Sequence, residues 1–404
     1  VLVLFTAVSF TWSERLSAVG ILLLLLHWLI DRRLFTKLAS FRLQTATLLF
    51  WGFILLHILL LWRCPLDEDG VHSIEVKLSF FILPLLFSTE NYLNAKRVYA
   101  LFLVFAISCC MSFIYTFGHS CLVNSSSGWR AVIGRMNVSE AIMHPGYYSN
   151  YFAYSLVWLV LEWRTNKPGT IWLKGLYGLI LFIHAVAILL LISKTALIFL
   201  GLFLIYYCWL ISRKAAKRTM QIFIFALFLL FSFGIVWLIP NVRDRVHDME
   251  NNTRTMDKEM PLSNSTGSRL VAWRSEWTLI RKNPLYGYGT GRANSVLGLQ
   301  LKREGYRRLW REHMHTHNQL LHTWLDLGLA GPLLLLALLG YSAFYFLRTR
   351  QILGFWMAPL ILINILTDDM LEIQAGTVFF IYFLTLLIYK KTEEQPLTQD
   401  ALNL

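Results

Sequence analysis

Apolar runs long enough to cross a hydrocarbon core of roughly 30 Å recur along almost the whole chain, and no other feature limits its folding as strongly. They leave little material for a separate soluble domain, so residues 1–404 read as one polytopic membrane domain. Of the residues 56% are hydrophobic and 15% aromatic, above the share usual in soluble globular domains, which excludes an ordinary soluble enzyme. Hydropathy predicts about twelve spans, with centres near residues 5, 23, 53, 80, 107, 154, 181, 202, 229, 338, 360 and 382. The opening VLVLFTAVSF reads as the remainder of a first span rather than as a cleavable signal.

The short loops sort by charge. One set carries Arg32, Arg33, Lys37 and Arg42, then Arg164, Lys167 and Lys174, then Arg213, Lys214, Lys217 and Arg218, then Arg348 and Arg350. The alternate set holds Asp67, Glu68 and Asp69 in CPLDEDG, and Asp368, Asp369 and Glu372 in TDDMLEIQAG, with no Lys or Arg. By the positive-inside rule the first set is cytoplasmic, the second faces outward, and both ends of the chain are cytoplasmic. Much of the net charge of +13 therefore anchors topology and gives no ground for nucleic-acid binding. The five cysteines show no CxxC spacing. Cys109, Cys110 and Cys208 lie in apolar runs as small hydrophobes, whereas Cys64 and Cys121 fall in loops on one side, where a disulfide is open.

Two outward segments exceed the length of a turn: residues 118 to 145, and residues 240 to 327 between the ninth and tenth spans. From Arg269 to Arg311 the second carries ten basic residues against two acidic ones, Glu276 and Glu304, a surface suited to an anionic lipid or a diphosphate. Within it, SRLVAWRSEWTLIRKNP places Leu270, Trp273, Trp277 and Ile280 at the spacing of an amphipathic helix ended by Asn283-Pro284. Such a helix would lie on the bilayer surface. The following GYGTGR, with Arg292, lacks the strand and helix of a dinucleotide site, which leaves a tight loop or a place where backbone amides approach a ligand.

HMHTHNQLLH, residues 313 to 322, gathers four of the 11 histidines. A helix is predicted from an N-cap at Thr316 to Gly328. His317 would stand at its start, where exposed amides favour the neutral, base-competent imidazole. Three readings stay open: a zinc pair at His313 and His317, which lacks an intervening Glu and a second ligand cluster; interfacial histidines without chemistry; and a general base at His317. Lys194, a cation inside an apolar stretch, either snorkels or meets an anion. His144 and Tyr147 open the sixth span at Pro145, as substrate contacts or as part of an aromatic belt.

Taken in order, Ser193-Lys194, SRLVAW at 268 to 273, NPLYGYGTGR at 283 to 292, HTHNQLLHTWLDLGLAG at 315 to 331 and LTDDMLEIQAGTVFF at 366 to 380 resemble the O-antigen ligase and polymerase superfamily of bacterial inner membranes. The resemblance implies an all-α, GT-C-like integral membrane fold of about twelve helices with a large helical periplasmic loop. It implies a metal-independent glycosyltransferase without cofactor, whose donor is a glycan on undecaprenyl diphosphate and whose acceptor, in ligase members, is a sugar hydroxyl of lipid A-core. The family's essential His falls on His317 and its loop Arg on Arg269. Its second basic residue, often Arg, falls on Lys194, which keeps the charge but loses the bidentate fork. Arg274 and Arg292 would join these at the diphosphate, and His144, Tyr147, His315 and Asn318 would contact substrate. A polymerase or a protein O-oligosaccharyltransferase would share the donor half of such a site. A transporter is disfavoured by the lack of a half-to-half repeat and by polar groups confined to one side.

Overall fold

The computed structural model describes residues 1–39, 41, 43–63, 68–90, 93–123, 143–166, 169–191, 193–212 and 265–390. The span expected near residue 229, Cys64, and most of the outward segment 118 to 145 lie outside the described residues. Those described form helices and turns with no strand. In chain order the helices are α1 (Leu2–Ser9), α2 (Glu14–Ile30), α3 (Leu34–Ala39), α4 (Thr45–Leu60), α5 (Glu68–Lys77), α6 (Ser79–Thr89), α7 (Ala95–Val123), α8 (Pro145–Thr165), α9 (Ile171–Leu191) and α10 (Lys194–Ser212). They continue as α11 (Ser265–Lys282), α12 (Ala293–Glu304), α13 (Arg307–Arg311), α14 (Gln319–Leu327), α15 (Ala330–Arg348), α16 (Ile352–Thr367) and α17 (Gln374–Tyr389).

Each of the other eleven expected centres falls on one of these helices. By length and apolar composition, Thr45–Arg63, Asp69–Thr89, Ala95–Val123, Ile171–Leu191 and Ala330–Arg348 could each cross a membrane. Their outer faces are apolar, with Leu48, Leu55 and Leu59 exposed on α4 and Leu179 and Phe182 on α9. That is how a multi-pass membrane protein presents itself to lipid, where an apolar surface carries no hydration cost. Cys121, expected in a loop, instead sits as a free thiol near the end of α7, which continues as helix to Val123.

The shorter α17 is buried on every side from Ala375 to Tyr389, as a helix apolar all round should be. It packs against α2, α5, α6, α15 and α16. Polar contacts fix its height: Tyr151 Oη donates to the Ala375 carbonyl at 2.8 Å and Tyr382 Oη to that of Val3 at 2.6 Å. Asn150 of α8 and Asn364 of α16 exchange side-chain amide hydrogen bonds at 2.9 and 3.2 Å. Amides buried in an apolar bundle are costly unless paired, so this exchange sets the register of the two helices. It thereby aligns the start of α8, with His144 and Tyr147, and the end of α16, with Thr367 and the two aspartates that follow.

Candidate active site

The histidine segment enters this aligned end as extended chain. His313 and His315 are exposed, Met314 and Thr316 buried, and His317 half-buried, so inside and outside alternate as in any extended strand. Met314 packs with Val271, Ala272, Leu297, Leu301 and Leu309, joining α11, α12 and α13. Thr316 is held twice, its carbonyl accepting from Trp273 Nε1 at 3.1 Å and its hydroxyl donating to Asp369 Oδ2 at 3.2 Å. These anchors keep two non-glycine residues, His313 (φ 50°) and His317 (φ 46°), in the left-handed region, at a cost of about 1–2 kcal/mol each. Strain of this kind persists where the surroundings over-determine it, and it marks functional sites.

The helix that follows begins later than Thr316. Its N-cap is Asn318, whose Oδ1 accepts from the Leu320 and Leu321 amides at 3.0 and 3.1 Å, while its Nδ2 donates to the Leu366 carbonyl. Thr316 loses the capping role because its hydroxyl faces Asp369 instead. Asn318, a candidate substrate contact, thus acts first as cap and clamp. Gly328 ends the helix in the left-handed region as expected.

His317 lies one residue before the cap, and its Nδ1 is 3.0 Å from Asp368 Oδ1. A carboxylate at Nδ1 places the neutral ring's proton there and leaves Nε2 as the acceptor. Arg269 Nη1 donates to the Thr367 carbonyl at 2.8 Å, which brings its guanidinium beside the same turn. His144 stands within electrostatic reach of Asp368, His317 and Arg269, and buried Tyr147 within that of Asp368 and Asp369. His315 Nδ1 is 3.9 Å from Asp369 Oδ2. One site therefore gathers His144, Tyr147, Arg269, His315, His317 and Asn318. Lys194 is exposed at the start of α10, at the bundle end where α9 finishes. Arg274 is exposed on α11, and Arg292 precedes α12. No contact among the described residues joins these last three to His317.

Asp368 and Asp369 divide their electrostatics. Burial opposes ionisation of Asp368, but the hydrogen bond and charge of His317, with Arg269 beyond, bring its pKa down to about 2. Asp369 is raised by burial, opposed by His322 and reinforced by the neighbouring Asp368 charge. A depressed carboxyl adds stability above its ordinary value near 3.8 and loses it as pH falls from there toward 2. The Tm advantage of the wild type over Asp368→Asn should therefore be full at about pH 5 and shrink as pH drops through about 3. A gap independent of pH would remove the ion pair from this account.

Beneath lies a second layer that motif reading did not single out. Lys77 Nζ donates to Glu372 Oε2 at 2.6 Å and to Ser73 Oγ at 3.0 Å. His322 Nε2 is 3.4 Å from Glu372 and 3.6 Å from Asp326, and its Nδ1 is 3.1 Å from the Thr316 hydroxyl. Burial lowers the His322 pKa, yet Glu372 and Asp326 outweigh it and hold the imidazolium well above its usual range. Gln319 locks the layer to the aspartate turn, donating to Glu372 Oε1 and accepting from the Leu371 amide, both at 2.8 Å. Glu276 of α11 is fully buried with no hydrogen-bond partner among the described residues, and burial raises its carboxyl pKa well above the ordinary range. The acidic residues at 368, 369 and 372 had stood out only as topology markers and as part of a family motif. The signal was their placement on the same side as the histidines.

Two loop expectations change. The buried face of α11 is Ser268, Val271, Ala272, Ser275, Glu276, Leu279 and Ile280 rather than the stripe through Trp273 and Trp277. Small and polar residues face α12 and α14 closely, which displaces the bulky rings to the flank. Trp273 braces Thr316, while Trp277 is 43% exposed and meets Trp324 edge-on at 5.8 Å. Of the two rings Trp277 is the more exposed, and replacing both would disturb the histidine segment itself.

The glycine loop is a structural joint. Tyr288 N and Gly289 N donate to the carbonyls of Leu325 and Asp326, and Gly291 N and Ala293 N to the Asp326 carboxylate at 2.9 and 2.7 Å. A Cβ on Gly287 (φ 62°) would sit 2.5 Å from Gly328 N, so only glycine fits. These amides already serve α14, which answers the open reading in favour of a tight loop.

His317, Asp368 and Asp369 each present a ligand atom, all within 4.8 Å of one another. This set differs from the His313 and His317 pair and has the chemistry of a divalent-cation site, so chelator sensitivity is an informative measurement. The curated proteins contain no match to the chain. Residues 179–336 match the family model described as O-antigen ligase. That stretch carries Lys194, Arg269 and His317, so the similarity to the O-antigen ligase family covers these three expected site residues.

Proposed function

We propose that this protein is an O-antigen ligase that moves a glycan from undecaprenyl diphosphate to a sugar hydroxyl of lipid A-core. It would work without a metal, in the bacterial inner membrane, on the periplasmic face. The accompanying topology is a single GT-C-like domain of about twelve spans with residues 240–327 as a periplasmic loop. The observation that carries the reading is His317, oriented through Nδ1 by Asp368 with Nε2 left as acceptor and Arg269 on the same turn.

In the proposed reaction the acceptor hydroxyl gives its proton to His317 Nε2 while its oxygen attacks the anomeric carbon. The bond from that carbon to the diphosphate breaks, and the electron pair leaves with undecaprenyl diphosphate. Asp368 stabilises the imidazolium that forms. Arg269 and Lys194, with Arg274 and Arg292 further out, oppose the charge on the leaving diphosphate. Displacement in one step inverts the anomeric configuration. An open apolar groove of about 510 Å³ between α4 and α15, lined by Gly52, Leu56, Leu59, Leu333 and Leu334, offers the prenyl chain a lane beside this end of the bundle.

The decisive test is transfer by the purified protein from undecaprenyl diphosphate glycan to lipid A-core in EDTA, with product configuration read by NMR. Inverted product under chelation supports the reading, and a retained configuration or restoration only by a divalent ion refutes its mechanism. Extension of one lipid-linked glycan by another, with lipid A-core untouched, would make the enzyme a polymerase. Arg269→Ala should slow transfer by about tenfold to a hundredfold, the equivalent of a lost charge-assisted hydrogen bond of about 1.5–3 kcal/mol. Arg269→Lys should recover part of that, as measured by single-turnover kinetics.

A further inference from the structure

A second cavity lies at the opposite end of the bundle. It has a volume of about 960 Å³ and is bounded by the start of α7, the ends of α8, α10 and α17, and the turn between α15 and α16. Helices α8, α16 and α17 each have one end at the candidate active site and the other here, and the 21 residues of α8 span roughly 30 Å. The two sites are thus separated by about the thickness of a hydrocarbon core.

The charge of this cavity is lopsided. Among its described lining residues Lys96, Arg164, Arg350 and Lys390 are cationic and Glu162 alone is anionic, and Glu162 already accepts from Asn166 Nδ2 at 2.6 Å. The four cations come from four separate places in the chain; the positive-inside bias accounts for basic residues at this end, and the packing of the helices brings these four to one cavity. Arg350 is held in the left-handed region at φ 55°, a conformation that costs a non-glycine residue energy and that here aims the turn at the cavity. Burial pulls the Lys390 ammonium below its ordinary range, which an anion nearby would counter.

The remaining walls are aromatic and aliphatic. Tyr99 and Trp158 meet at 5.7 Å between ring centres, and Tyr206, Leu210 and Leu353 continue the apolar side. A free phosphate would fill little of this volume and would leave those walls wet. A phosphodiester headgroup with the first part of its acyl chains matches both halves.

We propose that this cavity binds an anionic phospholipid, with its phosphate among Lys96, Arg164, Arg350 and Lys390 and its chains along the apolar wall. The site is distinct from the glycan-transfer centre and would seat a structural lipid in the leaflet at that end. Basic pockets between membrane helices have the charge to select such lipids over zwitterionic ones.

The test uses the full chain, purified in detergent, delipidated and supplied with no glycan donor, so its outcome is independent of transfer activity. Native mass spectrometry would compare retention of phosphatidylglycerol and phosphatidylcholine. The wild type should prefer phosphatidylglycerol, and Arg164→Gln with Arg350→Gln should weaken that binding by at least about tenfold. Glu162→Gln, which removes the opposing charge among the described lining residues, should tighten it. Equal retention of the two lipids, or an undiminished preference in the folded double variant, would overturn the proposal. Should the double variant not fold, Glu162→Gln decides, since unchanged binding overturns it too. Millimolar inorganic phosphate should leave the lipid bound. Displacement by phosphate would assign the pocket to a free anion instead.

Discussion

Replacing His317 with Ala is expected to slow glycan transfer by about 10²- to 10⁴-fold, the usual contribution of a positioned general base, while the protein stays folded. The folded state should survive because the anchors of the segment are its neighbours: Met314 packs into the loop core, Thr316 bonds Trp273 and Asp369, and Asn318 caps α14. Removing the imidazole also relieves a left-handed histidine, and His317→Gly should relieve it further. Both variants forfeit the Asp368 pairing but keep the other anchors, so they should stay folded, melt below the wild type by no more than Asp368→Asn does, and still show the full loss of rate of about 10²- to 10⁴-fold, which separates a chemical role from a structural one. Asp368→Asn should lose less, because His317 keeps its nitrogen but loses the carboxylate that orients it and steadies the imidazolium. Wild-type rates in a well-folded His317→Ala protein would remove His317 from the mechanism.

The largest effect on stability is expected at Glu372. Glu372→Gln should destabilise the protein by about 3–5 kcal/mol, because it leaves the fully buried Lys77 ammonium and the His322 imidazolium without their shared counter-charge. Thermal or denaturant unfolding in detergent would read the loss. Lys77→Met alone should cost less, since Glu372 retains His322, and combining it with Glu372→Gln should recover part of the single-variant loss. Strict additivity in that cycle would mean the two side chains do not act as a pair. A weakened layer should also slow transfer, because Gln319 bonds Glu372 and the Leu371 amide next to the aspartate turn that orients His317.

Some of the local structure, and two candidates for the site, are legible in the sequence. His317 stood out by its place in an ordered set of motifs, and Arg269 likewise. The end of α11 at Asn283-Pro284 and the end of α14 at Gly328 follow from local backbone chemistry, and both are where expected. The N-cap at Thr316 failed because a capping hydroxyl has competing partners, and Asp369, far along the chain, was the one it met. The stripe through Trp273 and Trp277 failed for a related reason. Periodicity finds the bulkiest apolar face, whereas close helix packing buries the smallest one, here Val271, Ala272 and Ser275.

The sequence by itself determined that this chain is a helical, multi-pass membrane protein similar over residues 179–336 to the O-antigen ligase family, because span length and motif order are properties of neighbouring residues. It could not say which charges face one another. Asp368 meets His317 across 51 positions and Glu372 meets Lys77 across 295. Those pairings arise only when α8, α16 and α17 settle at one height, held by the Asn150 and Asn364 amides and the hydroxyls of Tyr151 and Tyr382. In an apolar interior an unpaired polar group is so costly that few registers satisfy them all, and that selection acts on the packed bundle rather than on any one helix.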